Sequence, residues 1–389
     1  MDMTRHLTGA FLGSSDIVRT AFADVHSDHA LADLATALNP VDLDLVILFV
    51  SPQADIHALA ARAFSAFAPA RVIGCTTAGE LCSEGYAEGR IVAIGLPRGH
   101  FCTRTLLIED LDAYDPQDLI GDLIRNRNDM ARETPDWMSE CAMLLVDGLT
   151  MHEDALTADL SMGVGPVPLF GGSAGDGDRF QETWVIQDGI AHRNAAVVVQ
   201  MRTDCRIEVF NTDHLRPTEA RMVVTGADPA RRIVHEINAE PAALEYARLL
   251  GKDPGQLTTF TFAAHPVVVR IGGQHHVRSI QRMEPNGDLV FFSAIDEGVV
   301  LTLAESTDMV AHLENQLDRL NRHGKPDAVI AFDCIFRRME AEQLQLAGQL
   351  SSILSQHNVV GLSTYGEQIN ARHVNQTLTG LAIYPPEGV

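Results

Sequence analysis

Arg71-Val-Ile-Gly-Cys-Thr-Thr-Ala-Gly-Glu80 is one of three related stretches, and their repetition decides the fold. The second is Leu169-Phe-Gly-Gly-Ser-Ala-Gly-Asp176, and the third is Asn358-Val-Val-Gly-Leu-Ser-Thr-Tyr-Gly-Glu367. Each reads as an apolar pair, a glycine, a hydroxyl residue, a second glycine and a carboxylate. Upstream of each lies a short, continuously apolar run: Leu45 to Val50, Ala142 to Val146 and Ala328 to Phe332. Runs of that length without alternation read as strands buried on both faces.

Working outward, the flanks repeat as well. Between run and turn lies a helical pattern. The first is Ile56, Leu59, Ala60, Ala63, Phe64 and Phe67, with Ser51-Pro52 as cap and first-turn proline. In the second, Thr150 and Glu153 form a candidate capping box. In the third, Leu346, Leu350, Ile353 and Leu354 form the apolar stripe. A further strand follows each turn, at Ile91 to Leu96, Ala195 to Met201 and Leu378 to Tyr384. An amphipathic helix precedes each unit, at about Asp28 to Leu38, Pro116 to Met130 and Thr307 to Arg322, the last stopped by Gly324. A spacing beyond ~100 residues indicates duplicated domains rather than a solenoid. The expected fold class is α/β, with duplicated helix–strand–helix–strand–turn–strand units forming mixed sheets flanked by helices.

The stretch from Cys205 to Leu303 breaks the pattern. It holds a helix from Pro241 to Leu250 ended by Gly251, a strand Val267 to Ile271, and a hairpin of Val277 to Met283 with Leu289 to Ile295. Asn286-Gly287 closes that hairpin. A domain boundary is expected in this region, dividing the chain into an N-terminal segment 1–27 and α/β domains 28–220 and 221–389.

Composition narrows the function classes. With 389 residues and 46% hydrophobic content, the chain has ample material for a core. Lys and Arg total 29 against 52 Asp and Glu, a formal charge of −23. Such a surface repels nucleic acid and anionic lipid. The densest basic cluster, Arg216 to Arg232 with Arg221 and Arg231, is interleaved with Glu219 and Asp228 and reads as a solvated face. No apolar run approaches the ~20 residues of a membrane span, and residues 1–16 lack a signal-peptide core. The expected location is the cytoplasm. Six cysteines form no Cys-x-x-Cys pair, so they read as buried, reduced thiols.

Gly171-Gly-Ser173-Ala-Gly175 matches the Gly-x-Ser-x-Gly elbow of serine hydrolases, which needs a helix immediately after the serine. Here the residues that follow read as turn and strand. Sister turns carry Thr76 and Ser363 in the same place, and a catalytic nucleophile is not expected three times. The glycines match neither a phosphate-binding loop nor a dinucleotide fingerprint. They either turn the chain sharply or line a pocket at strand ends. Among sixteen histidines, none forms a His-Glu-x-x-His pair.

These features together resemble the FIST domain family, bacterial sensory modules with N-terminal and C-terminal FIST regions. The N-terminal resemblance rests on Val72 to Glu80, Leu145-Val-Asp-Gly148 and Gly171 to Asp176. The C-terminal one rests on His265-Pro266, Val277 to Ile280, Glu297-Gly298 and Gly361 to Glu367. The closing segment, Ser363-Thr-Tyr-Gly-Glu-Gln-Ile-Asn370 followed by His373-Val-Asn-Gln-Thr-Leu-Thr-Gly, is similar to the nitric-oxide-sensing branch. That resemblance implies a non-covalent haem b, a partner histidine kinase, a role in biofilm behaviour and no enzymatic activity. It leaves a homo-oligomer open. His373, in the segment that carries it, is the candidate axial ligand. The alternative within the family is a small metabolite such as an amino acid, with Thr76, Asp147, Ser173, Ser363, Tyr365 and Arg278 as candidate pocket residues.

Overall fold

The structure, a computed structural model, describes residues 11–12, 17–271, 273–322 and 324–386. It contains three copies of one unit. In the first, edge strand Arg19–Asp24 leads to helix Ala30–Leu38, inner strand Leu43–Val50, helix Ile56–Ala66 and outer strand Arg71–Thr76. A small hairpin, Glu80–Cys82 with Gly85–Ala87, and return strand Arg90–Pro97 complete it. The second unit repeats this order from edge strand Phe101–Ile108 through inner strand Ser139–Val146, outer strand Leu169–Ser173 and hairpin Val185–Gln187 with Ile190–His192 to return strand Ala196–Thr203. The third starts at Arg206–Thr212 and resumes with helix Met309–Leu320, inner strand Ala328–Cys334 and outer strand Val359–Thr364. Its hairpin is Glu367–Ile369 with Arg372–Val374, and its return strand is Leu378–Tyr384.

In every unit the inner and outer strands run parallel, and the return strand lies antiparallel on the other side of the inner one. The hairpins are exchanged. The second unit's hairpin pairs with the first unit's outer strand, the third's with the second's, and the first's with the third's. The exchange is cyclic, so each sheet is completed by a neighbour. Gly74, Gly171 and Gly361 sit where outer strand meets borrowed hairpin. An ideal Cβ there would lie 2.2, 2.1 and 1.8 Å from the carbonyl oxygens of Leu48, Leu144 and Ala331. The repeated glycine is a packing requirement at three equivalent places.

The three sheets enclose one shared core, with Phe49 and Phe170 each edge-on to Phe332 at 5.9 Å between ring centroids. Leu45, Ile47 and Phe49 face this core, while Val46, Leu48 and Val50 face the unit's own helices. The other two units repeat the arrangement with separate outer clusters. Burial on both faces explains why the inner strands are apolar without alternation. All six cysteines are buried, free thiols.

The segment 215–306 is inserted in the third unit between its edge strand and its first helix, and Leu215 pairs with Ser306 at the junction. It forms an eight-stranded sheet with its own core, into which Ile335, Phe336 and Tyr365 of the third unit pack. Edge strand Arg206–Thr212, N-terminal to residue 220, thus belongs to the unit that closes the chain. Residues 1–10 and 13–16 of the N-terminal segment lie outside the described residues.

Several local expectations are corrected. Asp55, accepting from Ala58 N at 3.1 Å, caps the helix Ile56–Ala66 in place of Ser51-Pro52. Glu153 forms no capping box with Thr150; it is buried 2.7 Å from Arg232 of the inserted segment. Arg232 is therefore not part of a solvated basic face. Two helices, Ile335–Gln343 and Ala347–Gln356, stand where one was expected. The helix Met309–Leu320 ends at Asn321, short of Gly324. In the inserted segment Ile280–Met283 pairs with Leu289–Phe291 around Asn286-Gly287, whereas Val277 and Arg278 pair with Val268 and Val267. No helix among the described residues is long and apolar enough to cross a membrane.

Candidate functional site

The three glycine-bearing turns meet at one end of the sheets and bond to one another. Ala78 N donates to Ser363 O at 2.9 Å and Ser363 N to Gly79 O at 2.7 Å. Gly175 N donates to Thr76 O at 3.1 Å, and Ser173 N to Gly366 O at 2.8 Å. These four turn amides are taken up by neighbouring turns rather than turned toward a ligand. Two turns add a buried carboxylate, with Thr77 Oγ donating to Glu80 and Thr364 Oγ to Glu367. Burial pushes Glu80 up to about 7 and Glu367 up to about 8, against the hydrogen bonds that favour their charged forms.

Beside this knot lies a cleft of about 500 Å³. One wall is Ser51, Ala78, Gly79, Glu80 and Glu88 of the first unit, and another is Asp176 to Arg179 of the second. The helix Ile335–Gln343 contributes Ile335, Arg338, Met339 and Glu342, and the inserted segment contributes Phe260. Arg338 is nearly buried. Its guanidinium donates to Glu342 at 3.0 Å, Glu88 at 2.9 Å and Ala87 O at 3.2 Å. A Cβ on Gly79 would fall 1.7 Å from Arg338 Nη1, so the second glycine of the first turn makes room for this cation. Arg179 is about half exposed, and the Phe260 ring is exposed at the rim. The lining thus combines two guanidinium groups, several carboxylates and an apolar patch at the C-terminal ends of parallel strands, a position at which α/β folds bind small ligands.

Comparison with protein families matches residues 44–240 to the FIST N domain and residues 242–370 to the FIST C domain. The chain belongs to the FIST family. FIST domains are sensor domains of signal transduction, and the cleft is lined by residues from both matched regions of this FIST protein. Neither match distinguishes a haem-binding branch. No curated protein matches the chain.

The candidate residues of the FIST turns fall in the knot rather than in the cleft. Thr76 Oγ accepts from Trp184 N at 3.0 Å. The Asp147 carboxylate accepts from Thr183 Oγ, from Leu149 N at 3.0 Å and from Asn194 N at 2.5 Å, which fixes the second hairpin. Ser173 Oγ is fully buried and accepts from the Gln368 amide at 2.9 Å; turn, not helix, follows it. Ser363 Oγ is buried without a hydrogen-bond partner among the described residues. Tyr365 donates to Asp176 and accepts from Asp176 N at 3.0 Å, and burial raises its pKa. Arg278 donates to His373 O at 3.4 Å but lines a different cleft. Ser173, Tyr365, His373 and Arg278 are neighbours; Thr76, Ser363 and Asp147 sit elsewhere around the knot. Arg338, Arg179, Glu88 and Glu342 were not singled out from the sequence. The adjacent Arg337-Arg338 in a helix with Glu340 and Glu342 was the available signal.

Chemically, His373 suits an axial ligand. Burial pushes it down to about 3, so it is neutral, and Nε2 has no hydrogen-bond partner among the described residues. Gln368 lies 3.1 Å from Nδ1, and its amide orientation selects the tautomer. Sterically it does not fit haem. A Cβ on Gly366 would be 2.7 Å from Nε2 and 2.3 Å from Cε1, so the ring is shut against the third turn. As a metal site, His100, Asp204 and Cys205 place ligand atoms within 4.8 Å of one another.

Proposed function

We propose that this FIST protein senses a small zwitterionic metabolite of the amino-acid class, bound in the 500 Å³ cleft, and acts by binding rather than by catalysis. The observation that carries the reading is the pairing of charge in that lining. Arg338 and Arg179 suit a carboxylate, Glu88 and Glu342 suit an ammonium group, and Phe260, Ile335 and Met339 suit an apolar side chain. Arg338 already holds Glu88 and Glu342. A ligand carboxylate competes for that guanidinium and shifts the helix Ile335–Gln343. The preceding residue, Arg337, is buried and bonded to Asp333 at 2.7 Å and to His214 Nδ1 at 2.7 Å. His214 Nε2 bonds Glu340 at 3.0 Å, and His214 O accepts from Thr307 N at 2.8 Å. Helix and both junctions of the inserted segment are therefore one hydrogen-bonded body. Binding biases two positions of that segment, and a partner histidine kinase reads the difference.

The test is a thermal-shift and calorimetric screen of the twenty amino acids, repeated with Arg338→Gln. Saturable binding that is lost in the variant is the expected result. No binding by any of them at millimolar concentration would sink the proposal.

A second reading, haem-based sensing of nitric oxide, is favoured by one observation, the neutral His373 with its unpartnered Nε2. It requires the third turn to move off the ring. The absorption spectrum after haem addition, reduced, with and without nitric oxide, separates the two. A sharp Soret band that shifts with the gas and is lost in His373→Ala supports haem, and its absence leaves the metabolite reading.

A further inference from the structure

The inserted segment has a cleft of its own, of about 810 Å³, away from the family turns. Arg221, Arg270 and Arg278 line it, with His275 beside them. Arg221 stands opposite Thr302 and Arg270 opposite His275 across antiparallel strand pairs, so the sheet itself sets their spacing. Among the described residues none of the three arginines forms an ion pair, although Glu219 and Asp296 also line the cleft. Arg278 is mostly withdrawn from solvent; burial works against its charge, and the Asp154 carboxylate, already engaged by Arg232 and Ala294 N, favours it only from beyond ion-pair distance. Its hydrogen bonds go to two backbone carbonyls, of Val277 and His373, both at the long distance of 3.4 Å. A mostly buried guanidinium normally has a carboxylate or phosphate across from it. On a chain with a formal charge of −23, three unpaired arginines around one cavity are placed against the general trend.

The remaining wall is apolar. Val269, Ile295 and Val299 line the cleft, and Ile271 and Val300 are each 48% exposed there. We propose that this cleft binds a small amphiphilic anion, a carboxylate or phosphate head carried on an apolar body. Arg278 meets the head from the deep side, Arg221 and Arg270 close on it from the strands, and the body lies along Ile271, Val299 and Val300. Arg278 also reaches the carbonyl of His373 on the third hairpin, so an occupant of this cleft touches the three-unit body through one side chain. The site is separate from the proposed metabolite cleft and stands or falls independently of it.

The test is calorimetric titration of the full chain at low salt with four probes: decanoate, decyl phosphate, acetate and decylammonium. Decanoate or decyl phosphate is expected to bind at least about tenfold more tightly than acetate or decylammonium. Arg221→Gln with Arg270→Gln, both exposed positions, is expected to weaken that binding about tenfold or more without changing the melting temperature of the free protein. Arg278→Gln is expected to weaken it further. Equal affinity for decylammonium, unchanged binding in the double variant, or no binding of either decyl anion overturns the proposal.

Discussion

Glu80 and Glu367 hold equivalent places in two turns, and their burial has a pH signature. Their pKa values, about 7 and about 8, lie above the ordinary 4.5. Between those limits the folded chain keeps protons that the unfolded chain releases. This contribution to stability is fully present below about pH 4.5 and is lost as pH rises through 7 to 8. Glu367→Gln, which fixes the neutral form, should flatten the fall in stability between pH 5.5 and 8.5 by up to ~1.4 kcal/mol per pH unit. Chemical denaturation across that range measures it, and an unchanged slope would assign the titration elsewhere. Gly366 offers a steric counterpart. Gly366→Ala drives a methyl group into the His373 ring and should cost about 1–3 kcal/mol. Adding His373→Ala should recover part of that loss, and a double-mutant cycle reads the coupling.

At the scale of elements, caps and close approaches carry the energy that side-chain pattern does not show. Asp55→Ala should lower stability by about 1 kcal/mol, while Ser51→Ala, which removes no cap, should cost less. A denaturant midpoint for each variant decides between the two capping assignments. The buried pair of Glu153 and Arg232 joins the second unit to the inserted segment, with Arg232 also donating to Phe292 O. Glu153→Gln removes one of two carboxylates from a buried guanidinium, with Asp154 remaining at 3.5 Å, and should cost about 1–3 kcal/mol. Read from sequence, the same glutamate looked like half of a capping box. Local spacing describes what a residue can reach along its own helix and carries no information about a cation 79 positions away.

At the scale of the whole molecule, the hairpin exchange makes the three units interdependent. A fragment ending at residue 204 keeps the first hairpin but loses the third unit's outer strand on which it pairs, and it leaves the second outer strand without its borrowed hairpin. Such a fragment should expose two unpaired sheet edges and should not unfold cooperatively. Far-UV circular dichroism through a urea titration checks this; a sharp two-state transition would show that the first two units fold alone. The same interdependence places the 500 Å³ cleft where three units and the inserted segment meet.

The sequence by itself determined the units. Continuous apolar runs required strands buried on both faces, the period-3.6 stripes required covering helices, and Gly74, Gly171 and Gly361 marked one recurring constraint. Asn286-Gly287 placed a hairpin because its turn chemistry is local. Only the tertiary structure decided which hairpin completes which sheet. The three hairpins are short and similar, and the pairing pattern of a strand is the same whether the edge it joins is its own or a neighbour's. The turn hydroxyls looked like pocket residues because nothing in their spacing shows that the turns bond to each other. The cleft residues Arg338 and Arg179 stayed unread for the same reason. Their role comes from the packing of a helix, a hairpin and an inserted segment drawn from distant parts of the chain, and no local pattern encodes that proximity.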